Sequence, residues 1–191
     1  SEFAAQYEYN GLGQLVRTNA NGRGWEQYEY DIAGLRTYEY RTYWDGNWAS
    51  SDQARFSYDR LGRQTYQEAP ENGSYGGTRI HHDRWGNIVS VVDARDGRTT
   101  RQYNELNQLV REERPDAAVL HLDGTTTRER PVYSWFYDAA GNLVGTQDAN
   151  GNIRRYRYDD AGRLIESEDA YRKITGYAID SLDQQVLTRD P

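Results

Sequence analysis

The ten residues Tyr156-Arg157-Tyr158-Asp159-Asp160-Ala161-Gly162-Arg163-Leu164-Ile165 set a pattern that the whole chain repeats. Tyr156 and Tyr158 alternate with arginines at period two, as a half-buried strand requires. Asp159 then opens a four-residue turn. Its side chain is suited to accept backbone N–H bonds, and Gly162 supplies the positive φ of a bulge. Leu164-Ile165 leaves as a second strand, so the unit reads as a hairpin whose type I turn ends in a glycine bulge. Its second aromatic position recurs at Tyr9, Tyr30, Tyr58, His82, Tyr103, Tyr137, Tyr158 and Ile179. Four of the intervals are 21 residues; the others, 28, 24 and 34, are 21 with insertions of 7, 3 and 13. A fixed period broken only by loop-sized insertions specifies a repeat architecture. The expected fold is all-β: repeated antiparallel hairpins forming a continuous, spiralling strip.

Each copy carries the same parts. The first has Tyr7, Tyr9, Asn10 and Gly13, and the second Tyr28, Tyr30, Asp31 and Gly34. Tyr58, Asp59 and Gly62 define the third, and His82, Asp83 and Gly86 the fourth. The fifth, at Tyr103, places Asn107 in the glycine position; Asn tolerates positive φ best among the other residues. Tyr137, Asp138 and Gly141 mark the sixth, Tyr156, Tyr158, Asp159 and Gly162 the seventh, and the eighth is degenerate, with Asp183 where glycine belongs. A second turn signal, Asn19-Ala20-Asn21-Gly22, returns at Asp148-Ala149-Asn150-Gly151 and more loosely from Asp93 to Gly97. Every repeat is therefore expected to hold two strands and two turns.

Residues 4–191 form one array of about eight repeats, with hairpin insertions near 40–52 and 111–132. Asp45-Gly46 and Asp123-Gly124 are the expected turns of these arms. Glycine-rich residues 71–77 read as a flexible loop, and Ser1-Glu2-Phe3 as an expression remnant on a piece of a longer protein.

Composition fits thin, sheet-like packing. Among 191 residues there are 17 Tyr and 5 Trp but 3 Phe, no Met and no Cys, and mean hydropathy is −1.04. Tyrosine supplies a large ring for cross-strand packing and a hydroxyl that stays wet or finds a partner. The net charge of −7 argues against a nucleic-acid partner, which needs a basic face. No apolar run reaches the ~20 residues of a membrane helix, and without cysteine there is no thiolate metal site.

These residues resemble the YD-repeat (Rhs-repeat) family, whose signature is Tyr-Asp, two residues, then Gly-Arg-Leu. Tyr158-Asp159-Asp160-Ala161-Gly162-Arg163-Leu164 matches every defined position, and Tyr137-Asp138-Ala139-Ala140-Gly141-Asn142-Leu143 is close. The resemblance implies a β-strip that winds into a hollow shell. In bacterial Rhs proteins and insecticidal toxin complexes such shells enclose a C-terminal toxic domain; in teneurins a similar barrel belongs to a cell-surface adhesion receptor. It further implies a secreted, injected or cell-surface protein, partnered by the rest of its own shell and by an encapsulated toxin. The family's autoproteolytic core region has no counterpart in these residues, so that activity is not carried over.

Chemistry beyond structure is sparsely signalled. The repeated Asp residues lack the nonapeptide spacing of calcium β-rolls, and turn capping accounts for them. His81 and His82, adjacent on a strand, point to opposite faces and cannot share a metal. The carboxylate pair Glu112-Glu113 is expected at an exposed strand end, unsuited to acid–base work. The reading is a non-enzyme without cofactor or metal. Its rival is an adhesion or carbohydrate-binding module in which Trp44 and Trp48, on the first arm, stack against glycans, with Trp85 and Trp135 as further platforms. Unpaired sheet edges also predict self-association.

Overall fold

The computed structural model describes residues 4–19, 24–44, 49–68, 76–120, 123–179 and 185–189, and of the side chains at 43, 44, 49–51, 179 and 185–189 nothing is described. The chain divides into two compact units, residues 1–97 and 98–191. The described residues contain eighteen strands and no helix.

The first unit holds β1 (Gln6–Tyr9), β2 (Leu15–Asn19), β3 (Glu26–Tyr30), β4 (Arg36–Trp44), β5 (Ala49–Tyr58), β6 (Gln64–Glu68), β7 (Gly77–His82) and β8 (Ile88–Val92). Each pairs antiparallel with the next, so sheet order is sequence order. The second unit holds β9 (Arg98–Tyr103), β10 (Leu109–Glu113), β11 (Ala117–Leu120), β12 (Thr126–Glu129), β13 (Val132–Tyr137), β14 (Leu143–Gln147), β15 (Ile153–Tyr158), β16 (Leu164–Glu168), β17 (Ile174–Ile179) and β18 (Gln185–Arg189). Here β10 pairs directly with β13, and the other sheet strands follow in order. The insertion between them forms a separate two-stranded ribbon, β11–β12. Gly124 has φ +83 at its turn, and Asp123 accepts from Thr125 N at 2.9 Å. Arg130 fastens its base to Asp116 at 2.9 Å and Glu113 at 2.8 Å.

Period-two patterning gives each sheet two unlike faces. On β15, Arg155 and Arg157 are exposed while Tyr156 and Tyr158 are half-buried. The arginines meet Glu168 and Glu166 directly across on β16, at 3.3 and 2.6 Å. Such exposed pairs contribute ~0–1 kcal/mol each. The tyrosine-bearing faces do more, yet they are thin: Tyr28 and Val92 are the only buried hydrophobic residues described. Low hydropathy thus shows itself as a sheet without a deep core.

The first arm is the long β4–β5 pair, whose register runs from Tyr38↔Arg55 to Trp44↔Ala49. Its tip, Asp45-Gly46, lies outside the described residues, as do Asn21-Gly22, residues 71–75 and the eighth turn at Asp183. The glycine-rich stretch, read as loop through 77, has its last residue in a strand. Gly77 begins β7, and the edge of the Tyr66 ring comes 2.2 Å from where a Cβ would sit. Only glycine admits the ring there.

Candidate functional site

Ten described turns, five in each unit, share one hydrogen-bond set. They open at Asn10, Asp31, Asp59, Asp83 and Asp93 in the first unit, and at Asn104, Asp138, Asp148, Asp159 and Asp169 in the second. In each, the opening N–H donates to the carbonyl four residues on, and the N–H three residues on donates back; for Asp159 these bonds are 3.0 and 2.9 Å. The fourth residue takes positive φ throughout, including Asn107 at 60°. Primary turns open at 10, 31, 59, 83, 104, 138 and 159 and join the two strands of a hairpin; secondary turns open at 93, 148 and 169 and lie on the opposite sheet edge. The Asp169 turn escaped sequence reading although it stands 21 residues after Asp148, because Arg172 rather than glycine adopts its φ of 65°. In the Asp93 turn the positive φ falls on Asp96, one residue before the glycine.

In seven of these turns the opening side chain is matched to the fifth. Asp accepts through Oδ2 from a donor: from Arg63 and Arg163 Nε at 2.7 and 2.8 Å, and from Asn87, Asn142 and Asn152 Nδ2 at 2.9 Å. Where the opening residue is Asn, a Gln stands opposite and accepts: Asn10 Nδ2 to Gln14 at 2.7 Å, Asn104 Nδ2 to Gln108 at 2.9 Å. Asp with a donor and Asn with Gln are two solutions to one requirement, since Oδ1 is already committed to backbone amides.

The fifth residue also reaches the next hairpin. Gln14 Nε2 donates to Gly34 O at 3.3 Å, Arg63 Nη1 to Asp83 O at 2.7 Å, and Gln108 Nε2 to Gly141 O at 2.8 Å. A second bridge runs beside it from tyrosine. The hydroxyls of Tyr30, Tyr58, Tyr137 and Tyr158 donate to the carbonyls of Leu15, Arg36, Leu109 and Leu143 at 2.7, 2.9, 3.1 and 3.0 Å. Each acceptor is the first strand residue after the preceding primary turn. The β14–β15 register begins only at Gly145, so Leu143 lies past the ladder and the tyrosine hydroxyl takes the place of a backbone partner. This answers why the repeat needs Tyr and not Phe. His82 takes the same position with a buried Nδ1 that has no hydrogen-bond partner among the described residues.

Tyr158→Phe should therefore lower stability by ~0.5–1.5 kcal/mol in a denaturant titration. Tyr171→Phe, at a fully exposed turn tip, should not. Equal effects would contradict the bridge.

The capped carboxyls respond to pH. At Asp138, Asp148 and Asp159 the side-chain bond from the fifth residue, then backbone amides, hold the carboxyl below its usual range. At Asp59 and Asp83 partial desolvation pushes upward but the same bonds outweigh it. A depressed folded pKa means stability that is present above the unfolded value, about 4, and lost as pH falls through the folded one. The thermal midpoint should accordingly drop on acidification below about pH 4. Asp159→Asn should lower it at pH 7 by facing a donor against Arg163, and Arg163→Gln in that background should restore it. A double variant no better than the single one would refute the matching rule.

Glu112, expected at an exposed strand end, is instead 7% exposed. Two guanidiniums compensate it: Arg101 Nε at 2.8 Å from the facing strand, and Arg114 Nε at 2.7 Å. Burial pushes its carboxyl up, but these hydrogen bonds prevail and the net shift is downward. Arg114 also stacks 4.2 Å over Tyr133, which is opposite Glu112 on β13. The first unit has a counterpart in Tyr28, which hydrogen-bonds Glu26 and lies under Arg36 at 4.4 Å. Burial, then Glu26, push its hydroxyl up to about 12. Both are ion clusters in which a carboxylate, a guanidinium and a tyrosine meet on one sheet face.

The remaining candidates separate. Trp48 and the side chain of Trp44 lie outside the described residues. Trp85 is an exposed turn tip beneath Arg84 at 3.9 Å. Trp135 floors a shallow groove of about 460 Å³, shared with Tyr133, Thr146, Asn152, Arg154 and Tyr171. His81 is exposed and His82 half-buried, on alternate faces of β7. Tyr7 and Tyr9, on the outermost strand of the first unit, are 52% and 61% exposed.

Two stretches that contain the repeating turn match a known family. Residues 82–119 and 137–173 match the RHS Repeat family. The chain carries RHS repeats. The matched stretches cover the fourth to seventh copies, in both units. Solved structures of similar fold are found as well. One is described as the crystal structure of TcdB2-TccC3 without its hypervariable C-terminal region: TM-score 0.55, 14% identity, covering 97% of this chain and 11% of that one. The crystal structure of TcdB2-TccC3 gives 0.53 and 14%, covering 97% of this chain and 12% of that one. At this identity the likeness establishes the fold, and the RHS-repeat chain spans about a ninth of the solved chain's length. A comparison with curated proteins finds no match.

Proposed function

We propose that this chain is a non-catalytic wall segment of a large exported RHS-repeat protein whose β-shell encloses a C-terminal toxin or effector. The observation that carries the reading is that successive hairpins are tied by side chains beyond the strand ladder: by both the fifth turn residue and the tyrosine hydroxyl at the first-to-second and fifth-to-sixth junctions, and by one of the two at the second-to-third, third-to-fourth and sixth-to-seventh. Such ties keep a strip continuous over any number of repeats, which a wall needs and a discrete binding module does not. The fold likeness to the TcdB2-TccC3 chain, and the fraction of that chain covered, agree with a segment of something larger. Its partners are then the rest of its shell and the enclosed cargo, and its place of action is outside the producing cell. The test is limited proteolysis of the parent protein. A C-terminal domain protected in the intact protein and degraded once the repeats are unfolded supports the wall; equal sensitivity in both states opposes it.

The groove on Trp135, Tyr133 and Tyr171 supports a second reading, a glycan-binding repeat module using exposed aromatics. Trp135→Ala in the folded chain should then abolish binding on a glycan array. No binding by the unmodified chain removes that reading.

A further inference from the structure

We infer that the groove floored by Trp135 takes an acidic glycan, its sugar rings stacked on the aromatic side chains and a uronate carboxylate held by Arg154. The inference rests on the glycan-binding reading above and names its ligand class; the wall reading does not depend on it.

The groove lies on one face of the second unit's sheet. Trp135, Thr146 and Arg154 stand directly opposite one another on β13, β14 and β15, so their side chains form a row across three strands. Tyr133 is two residues from Trp135 on the same strand, and therefore on the same face. Tyr171, 93% exposed at the tip of the turn after β16, lines the far side. Asp169 fixes that turn by accepting from Tyr171 N and Lys173 N, both at 2.9 Å. Aromatic rings, a hydroxyl and a guanidinium thus share a recess two strand spacings wide, about 10 Å. Rings for stacking, with a few polar groups to set orientation, are what a sugar chain requires.

Charge narrows the ligand. Arg154 and Asp148 are the charged residues of the lining. Asp148 is spent inside its own turn, where Oδ1 accepts from Asn150 N and Asn152 N and Oδ2 from Asn152 Nδ2, all at 2.9 Å. Arg154 makes no hydrogen bond or ion pair among the described residues. Its neighbours Arg155 and Arg157 point to the opposite face and pair with Glu168 and Glu166. Beside the groove, Arg114 lies 4.2 Å over Tyr133 and joins Arg101 in answering the single carboxylate of Glu112. The turn that carries Tyr171 sets Arg172 and Lys173 against Asp169. Around the groove, cations therefore exceed carboxylates, although the chain as a whole carries −7. A guanidinium with a hydroxyl one strand away suits a planar carboxylate, which it takes by charge-assisted hydrogen bonds. Single-stranded nucleic acid fits less well. It brings a phosphate with every unit, and these would meet Asp148 and Asp169 next to the cation. A glycan with spaced carboxylates sets neutral rings there instead.

A glycan array probed with the whole chain tests the inference. It carries oligosaccharides of galacturonate, mannuronate and glucuronate, each beside a carboxyl-reduced counterpart that keeps the rings and loses the charge. The chain should bind uronates, and reduction should cost about tenfold or more, as expected for one charge-assisted contact. Arg154→Gln should bind acid and reduced forms alike, with circular dichroism unchanged, because the side chain is exposed. Tyr171→Ala, at a turn tip, should weaken both forms together by about threefold. Uronate binding indifferent to Arg154→Gln overturns the inference. So does equal binding of acid and reduced forms by the unmodified chain, which leaves the glycan-binding reading standing. Absence of all glycan binding overturns both. Binding of single-stranded oligodeoxythymidine that depends on Arg154, with no uronate bound, overturns the inference in favour of nucleic acid.

Discussion

Replacing Glu112 by alanine should lower the thermal midpoint by roughly 4–12 °C. Removing one member of a buried ion cluster costs ~3–5 kcal/mol when the charges left behind are sealed from water. Here Arg101 and Arg114 keep 29% and 51% of their side-chain surface, so water rescues part of the loss. A cost of about 2–3 kcal/mol remains, and each kcal/mol moves the midpoint of a chain this size by ~2–4 °C. Glu113→Ala is the control, since that carboxylate sits on the opposite face and pairs Arg130 and Arg111 at the surface. It should cost no more than about 1 kcal/mol. Indistinguishable melting curves for the two variants would mean that Glu112 is held no more tightly than a surface acid.

Gly141→Val should destabilise by about 2–3 kcal/mol, for two reasons that act together. The backbone there has φ +90, which a β-branched residue adopts only under strain. A Cβ would also lie 3.3 Å from Gln108 Nε2, the atom that donates to Gly141 O and ties the two hairpins. The variant thus disturbs the turn and the bridge at once. Arg172→Gly is the reverse case, releasing a side chain held at φ 65 in an exposed turn. It should gain up to about 1 kcal/mol. Urea titrations of both variants test the pair, and a loss at Arg172→Gly would show that its side chain has a use beyond the turn.

The repeat was legible because its parts are local. An Asp or Asn, a glycine three residues on and tyrosines at period two leave a signature in ten residues, and the all-β order of strands followed from it. What joins one repeat to the next was not legible. The Gln108-to-Gly141 bond spans 33 residues, and Tyr137 reaches back 28, so no window of sequence contains both partners. The match of Asn with Gln and of Asp with Arg or Asn was present in the sequence, but it acquires meaning only when the fifth residue is seen to fold back on the first. Glu112 was misplaced for the same reason. Its strand ends one residue later, which suggests exposure, while the arginine that buries it comes from the facing strand. The Asp169 turn was lost to a residue-type rule that the backbone overrode at Arg172.

Electron cryo-microscopy of the longest chain encoded around these residues tests the central claim most directly. The wall reading predicts that residues 4–191 continue into further hairpins bonded by the same two ties, and that the strip bounds a closed volume containing density for a C-terminal segment. An open sheet or stalk with both faces in solvent, and its C-terminal part outside, would contradict it.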